Sequence, residues 1–83
     1  MNPGERKLQV MVETLVRAFV DRPDEVTVNS AQRSDSSVLE LTVAPSDMGK
    51  VIGRQGRTAR ALRILVSLAG DKLNRRCHLQ ILD

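Results

Sequence analysis

The sequence has almost no aromatic residues: Trp and Tyr are missing, and Phe19 is the single Phe. A surface that binds nucleic-acid bases by stacking them on several aromatic rings is therefore excluded. The one cysteine, Cys77, cannot form an internal disulfide, which agrees with a reducing compartment. The one histidine, His78, adjoins it. Neighbouring strand residues point to opposite faces, so the pair does not make a metal site, and Cys77 is expected to be a small core residue.

Long apolar runs are also missing. No stretch is long enough to span a bilayer, and the first residues lack the pattern of a secretory signal peptide. We therefore expect a cytoplasmic protein. At 83 residues the chain has room for one modest hydrophobic core, and we predict a single domain over residues 1–83.

Acidic residues are scarce in the second part of the chain. Residues 1–49 contain five basic and eight acidic side chains, whereas residues 50–83 contain eight basic and two acidic ones, a net charge of −3 against +6. A surface that only keeps a protein in solution has no reason to separate its charges in this way. The second part therefore favours contact with a polyanion.

The first element is predicted to be an amphipathic helix. Asn2 is a suitable N-cap, Pro3 suits the first helical position, and Pro23 stops the helix. Between them, apolar residues recur at helical spacing: Leu8, Met11, Val12, Leu15, Val16 and Phe19. Val10 and Val20 lie off this stripe, which indicates either a wide core stripe or a second face covered by another chain.

Two segments after this helix alternate apolar and polar residues as half-buried strands do: Val26 and Val28, then Leu39, Leu41 and Val43. The polar residues 33–37 between them predict an antiparallel hairpin with a solvated turn. At the end of the chain the alternation returns and predicts a third strand on Cys77, Leu79 and Ile81.

Two helices are predicted between the second and third strands. Ser46 or Asp47 is positioned to cap a short helix that ends at Gly53. A longer helix follows to about Asn74, with Gly70 as an alternative C-cap. Its apolar stripe is Ala59, Leu62, Leu65, Val66, Ala69 and Leu73. The order αββααβ predicts an α+β fold: a three-stranded mixed sheet, three helices packed on one face, and the other face open.

Two glycines, Gly53 and Gly56, separate those two helices. Without a Cβ, each can adopt a positive φ and let another backbone come close. The first N–H groups of the following helix direct their partial positive charge to the same place. Basic side chains surround it: Lys50, Arg54, Arg57, Arg60 and Arg63. The stretch predicts an anion site, although its spacing fits neither the phosphate loop G-x-x-x-x-G-K-[ST] nor the dinucleotide fingerprint G-x-G-x-x-G.

A G-x-x-G loop between two helices is the feature with which KH domains clamp a short run of single-stranded nucleic-acid backbone. Around it, residues 43–59, VAPSDMGKVIGRQGRTA, and the closing residues 80–83, QILD, resemble the KhpA family of small bacterial single-KH proteins. The similarity extends over nearly the whole chain, and αββααβ is the order of the type II KH fold. One departure is the turn at residues 73–76, which lacks the glycine common in the family.

The resemblance implies single-stranded RNA binding without catalysis, cofactor or metal. In KH proteins the glycine loop contacts the phosphate backbone, and the bases lie in an aliphatic groove. Carried onto this sequence, the RNA-binding residues are Lys50, Ile52, Gly53, Arg54, Gln55, Gly56, Arg57 and Arg60. The resemblance further implies a homodimer, a complex with a larger KH protein called KhpB, and a role in RNA regulation or chaperoning linked to cell-envelope growth and division.

A second hypothesis is a protein-interaction module. A partner would then dock on the first helix near Val10 and Val20, or on the open face of the sheet, and the glycine loop would be vestigial. An enzyme is not expected, because there is no second His or Cys and nothing places a carboxylate pair or an activated Ser or Lys beside the loop. The two hypotheses differ in whether RNA binding depends on Arg54 and Gln55.

Overall fold

The computed structural model describes residues 3–83, and its elements follow the predicted order αββααβ. The helices are α1 (Pro3–Arg17), α2 (Met48–Ile52) and α3 (Arg57–Lys72), and the strands are β1 (Thr27–Gln32), β2 (Ser36–Thr42) and β3 (Arg76–Ile81). Short 3₁₀ turns lie at Pro23–Glu25, Pro45–Asp47 and Arg54–Gly56. Asn2, the predicted N-cap of α1, lies outside the described residues.

The sheet is mixed, as predicted. Strand β2 lies in the centre, antiparallel to β1 and parallel to β3. Val28 pairs with Leu41 across the first ladder, and Leu39 pairs with Leu79 across the second. Because parallel strands need a long connection, α2, the glycine loop and α3 together form the crossover from β2 to β3.

One face of the sheet carries the hydrophobic core. Alternate strand residues point to this face, where the three helices cover them. The buried apolar cluster consists of Leu8, Val12, Val16, Val26, Val28, Leu39, Leu41, Val43, Val51, Leu62, Val66, Cys77 and Leu79. Cys77 belongs to it, as predicted. The opposite face is open and mainly polar, with Asn29, Glu40, His78 and Gln80 on it, so it offers little apolar area to a partner.

Helix α1 is shorter than its apolar pattern predicted. It ends at Arg17 instead of continuing to Pro23. The backbone N–H groups of Asp21 and Arg22 donate to the side chain of Asp47, and these bonds hold the chain in a different direction.

The core stripe of α1 is also narrower than predicted. The sheet covers the row Leu8, Val12 and Val16, whereas Leu15 and Phe19, both predicted as core residues, are exposed at its side. Val20 packs against the core from a position beyond the end of α1, so it is not part of a wider helical stripe, and Val10 is exposed.

Helix α3 differs from its prediction at three positions. It ends at Lys72, and Asn74 adopts a left-handed φ of 58°, so an asparagine makes the turn into β3. Gly70 is not a C-cap: it is buried within the helix, and a Cβ there would lie 2.8 Å from the carbonyl oxygen of Arg75. Leu65, predicted as a core residue, is exposed.

The turn between β1 and β2 is shorter than predicted as well. It spans residues 33–35, and Ser36 and Ser37 are buried at the start of β2 instead of lying in a solvated turn. The guanidinium of Arg75 donates to the carbonyl oxygen of Ser36 at 3.1 Å and to Oγ of Ser37 at 3.2 Å. It also forms an ion pair of 2.6 Å with Glu5, which is only 3% exposed. These contacts tie the start of α1 to β2 and β3.

Candidate functional site

The loop between α2 and α3 is a tight turn made by its two glycines. Gly53 has φ 78° and ends α2, with its N–H donated to the carbonyl oxygen of Gly49 at 2.9 Å. Gly56 has φ 73° and precedes α3, with its N–H donated to the carbonyl oxygen of Gly53 at 3.1 Å. Both glycines therefore adopt the backbone conformation that L side chains rarely take.

The two glycines are not equivalent. A side chain at Gly53 would collide with Thr58, in the first turn of α3, whereas a Cβ at Gly56 would enter open space. Gly53 is therefore required both by its φ and by a close approach, and Gly56 by its φ alone. The contribution of Thr58 was not foreseen from the sequence, because nothing in the local pattern shows that its side chain faces Gly53.

Gln55 is the unexpected residue of the loop. It has φ 57° and ψ 26°, a left-handed conformation outside glycine, and the next residue, Gly56, is left-handed too. Its side-chain Oε1 accepts a hydrogen bond from the guanidinium of Arg57 at 3.2 Å. The loop thus holds two consecutive left-handed residues, and the side chains of Gln55 and Arg57 are held together at its exposed edge.

The start of α3 is directed at this loop. Gly56 occupies the N-cap position and has no side chain, and among the described residues no side chain caps the helix there. The first N–H groups of a helix lack intrahelical acceptors, and with the helix dipole they place a partial positive charge at its start. The N–H of Arg57 is donated to the carbonyl oxygen of Arg54, so this 16-residue helix offers an anion the positive end of its dipole and the N–H groups that follow Arg57.

The arginines predicted for the site are available to a ligand. Arg54, Arg57, Arg60 and Arg63 are all exposed, and within residues 3–83 none of them is in an ion pair. Arg54 lies in the turn, and the other three follow at intervals of three along α3. Ile52, predicted for an apolar groove wall, is partly exposed directly before Gly53.

Lys50 is the one predicted site residue whose charge is already engaged. Its Nζ lies 2.7 Å from Oδ2 of Asp21, in the connection between α1 and β1. This hydrogen bond raises the pKa of Lys50 above its ordinary value; burial opposes the rise, and the negative charges of Asp21 and Asp47 add to it. Residues 53–56 thus form the loop, with Ile52 and Arg57 directly on either side of it, whereas the side chain of Lys50 is paired with Asp21.

Asp47 connects the start of α2 to the segment that contains Asp21. It was predicted to cap α2, but its side chain makes no capping hydrogen bond there. It is fully buried instead, with Oδ1 accepting the N–H of Asp21 at 3.0 Å and Oδ2 accepting the N–H of Arg22 at 2.9 Å. The start of α2 is therefore fixed to a segment about 25 residues earlier in the chain.

The part of the chain that the structure describes does not gather three or more His, Cys, Asp or Glu side chains where they could hold a metal ion. Within residues 3–83, no helix combines the length and the apolarity that crossing a bilayer requires.

Comparison with known proteins finds relatives over most of the chain. The model of the KhpA/KhpB KH domain matches residues 9–81. A relative from Borreliella burgdorferi, named RNA-binding protein KhpA, is 48% identical over 73 residues, which cover 88% of this chain and 89% of the relative. A relative of the same name from Halalkalibacterium halodurans is 49% identical over 76 residues, 92% of this chain and all of the relative. One from Streptomyces coelicolor is 51% identical over 65 residues, 78% and 82% of the two chains. No solved structure matched the chain.

Proposed function

Since the chain belongs to the KhpA/KhpB KH-domain family, we propose that it binds single-stranded RNA and holds the phosphate backbone at residues 53–56. The observation that carries this proposal is the loop itself, in which Gly53, Gln55 and Gly56 have a positive φ and the start of α3 follows without a capping side chain. Relatives in this non-enzymatic family are named RNA-binding proteins, which agrees with the prediction that the chain is not an enzyme.

Each residue of the site has a proposed role. Gly53 and Gly56 let the RNA backbone approach the loop, and the N–H groups at the start of α3 donate to phosphate oxygens. Arg54, Arg57 and Arg60 pair with phosphates on either side. Gln55 orients Arg57 through the hydrogen bond between their side chains. Ile52 forms part of the apolar wall against which a base packs, and Lys50 contacts phosphate only after it leaves Asp21.

The proposal includes a homodimer. A second apolar row lies on α3, at residues spaced by three and four: Ala61, Ile64, Leu65 and Leu68. The last three are 53%, 44% and 60% exposed. Beside this row, a cleft between α1 and α3 has apolar walls: Leu8, Met11, Ala69 and Leu73. Two copies that bury this row would present two glycine loops to one RNA and increase the avidity.

In the cell, we place this protein in the cytoplasm as a post-transcriptional regulator or RNA chaperone, acting as the dimer or with a KhpB-like partner. A link to cell shape and cell-wall growth follows from the family resemblance. A single KH site contacts about four nucleotides, so one copy alone is expected to bind weakly and with little sequence preference.

The test is fluorescence anisotropy with a short unstructured RNA, comparing the wild-type chain with Arg54→Asp/Gln55→Asp. The substitutions place two carboxylates beside the phosphate position, and aspartate tolerates the left-handed conformation of residue 55. We expect affinity to fall by at least ten-fold, about 1.4 kcal/mol, at low salt.

The matched control is Arg33→Asp/Ser34→Asp, which changes the net charge equally in the exposed turn between β1 and β2. Circular dichroism checks that both variants are folded. An equal loss of affinity in the two variants would show that net charge acts without a loop site. Absence of RNA binding by the wild-type chain would favour the protein-interaction module, in which a partner docks on α1 near the exposed Val10 or on the open face of the sheet.

A further inference from the structure

We propose that Asp21 is a positioning residue of this site: it withholds Lys50 from the phosphate backbone and so confines phosphate contact to the arginines that follow Gly53. This role rests on the proposed RNA binding and deepens it, because it divides the cations around the loop into two groups. The arginines are available at once, and Lys50 becomes available only when its contact with Asp21 breaks.

The contact between the two side chains is direct and open to solvent. The Nζ of Lys50 lies 2.7 Å from Oδ2 of Asp21, and the side chains are 47% and 72% exposed. An exposed ion pair of this kind is weak enough for a phosphate to displace. After displacement, however, the phosphate still lies near the carboxylate of Asp21, and the two like charges repel.

The arginines of the site do not share this restraint. Within residues 3–83, no carboxylate forms an ion pair with Arg54, Arg57 or Arg60. A phosphate therefore gains the attraction of these arginines without displacing a carboxylate, and Arg57 gives up at most its hydrogen bond to the neutral side chain of Gln55. The same RNA strand thus meets two different electrostatic environments on the two sides of Gly53.

The position of Asp21 is fixed by a buried group. Asp47 is 0% exposed, and its carboxylate accepts the backbone N–H groups of Asp21 at 3.0 Å and of Arg22 at 2.9 Å. This anchor holds the segment against the start of α2, about one turn before Lys50 along the chain. The carboxylate of Asp21 is therefore presented to Lys50 by the fold, and moving it away requires breaking two hydrogen bonds to a buried carboxylate.

The variant Asp21→Asn tests this role, because it removes the charge and keeps the size of the side chain. Free of its counter-ion, Lys50 should join the phosphate contacts. We expect the dissociation constant for a short unstructured RNA to fall about three-fold at low salt. The plot of log affinity against log salt should become steeper by about 0.7, the increment for one more phosphate contact on a single strand.

The matched control is Asp24→Asn, in the 3₁₀ turn Pro23–Glu25 that follows. Asp24 is exposed, and among the described residues it forms no ion pair. The control makes the same change in net charge without releasing Lys50. It should therefore leave the salt slope unchanged and tighten binding less than Asp21→Asn does.

A second readout is the coupling between the two residues. Lys50→Met should weaken RNA binding little in the wild-type chain and at least two-fold in the Asp21→Asn chain. Equal affinities and slopes for Asp21→Asn and Asp24→Asn, or weaker binding by Asp21→Asn, would overturn the role of Asp21 while leaving RNA binding intact. A wild-type chain that binds no RNA would overturn both proposals.

Discussion

Gly53 lies directly against Thr58: a Cβ on Gly53 would be 2.8 Å from the Cβ of Thr58 and 2.9 Å from its backbone nitrogen. The contact brings the end of α2 against the first turn of α3 and leaves no room for a side chain at residue 53. Thr58 therefore limits the conformation of the loop, although it lies in α3 and outside the G-x-x-G pattern.

The first prediction concerns the two glycines. Gly53→Ala should lower the free energy of unfolding by about 2–4 kcal/mol, because the Cβ adds a collision with Thr58 to the cost of a positive φ. Gly56→Ala has no collision, and its φ of 73° and ψ of 15° lie in the ordinary left-handed region, whereas the ψ of 171° at Gly53 is reached almost only by glycine, so Gly56→Ala should lose about 1 kcal/mol. Urea denaturation of both variants measures the difference. Equal losses would mean that neither the contact with Thr58 nor the ψ of 171° adds a restriction at residue 53.

The buried carboxylate of Asp47 should be a main contributor to stability. Asp47→Ala leaves the N–H groups of Asp21 and Arg22 without their acceptors, and we expect a loss of about 2 kcal/mol in the free energy of unfolding. Asp24→Ala, which removes an exposed carboxylate from the neighbouring turn, should change it by less than about 0.5 kcal/mol. Thermal or urea denaturation of the two variants measures both losses, and similar values would contradict the anchoring role of Asp47.

Replacing Arg75 alone, in its ion pair with Glu5, should lower the free energy of unfolding. Arg75→Met removes the guanidinium that lies 2.6 Å from the buried carboxylate of Glu5, and it should destabilise the fold by about 3 kcal/mol. Adding Glu5→Gln removes the buried charge and should recover part of that loss. A double-mutant cycle by urea denaturation measures the coupling energy, and additive losses would show that the two residues act independently.

The proposed dimer makes a prediction about α3. Leu68→Lys places a charge in the middle of the exposed apolar row, so sedimentation velocity should show the variant as a monomer at concentrations where the wild-type chain is dimeric. Val10→Lys makes the same change on α1 and should leave the dimer intact. If Val10→Lys dissociates the dimer and Leu68→Lys does not, the interface lies on α1. A wild-type chain found only at 9.2 kDa would contradict the dimer itself.

Cys77 provides a prediction about pH. Burial raises the pKa of its thiol above the ordinary value of 9.0, and the negative charge of Glu5 adds to the rise. The unfolded chain therefore releases this proton at a lower pH than the folded one. The thiol should leave the free energy of unfolding unchanged well below pH 9.0 and lower it as the pH rises above that value. Urea denaturation compared with Cys77→Ala isolates this contribution, since the variant should lack the additional decline.

The apolar periodicity was sufficient to predict the order of elements and the side of the sheet on which the core lies. Period-two alternation identified the three strands, and the glycine spacing identified the loop. These features depend on neighbours within a few residues of each other, which is the range over which a sequence pattern carries information.

The features that were missed depend on contacts between distant segments. Asp47 has the position and the chemistry of an N-cap, and nothing near it in the sequence indicates that its partners are Asp21 and Arg22. The same separation hid the contact of Lys50 with Asp21. Arg75 likewise buries two serines that local composition assigned to a solvated turn.

One missed feature did have a sequence signal. The row Ala61, Ile64, Leu65 and Leu68 repeats at helical spacing beside the core stripe of α3. Leu65 was assigned to the core because it also fits that stripe, and a three-stranded sheet is too narrow to cover both. The sequence alone therefore indicated that α3 has more apolar surface than the sheet can cover.

Helix α2 spans only five residues, which is too short to be stable in isolation. Its order comes from the core contact of Val51 and from the attachment of Asp47 to the segment after α1. We therefore expect the glycine loop and the connection between α1 and β1 to unfold locally as one unit, although the β1–β2 hairpin separates them in the chain. We expect the loop to lose its shape when the connection opens, so the lifetime of RNA held at the proposed site should depend on a segment that lies outside the loop.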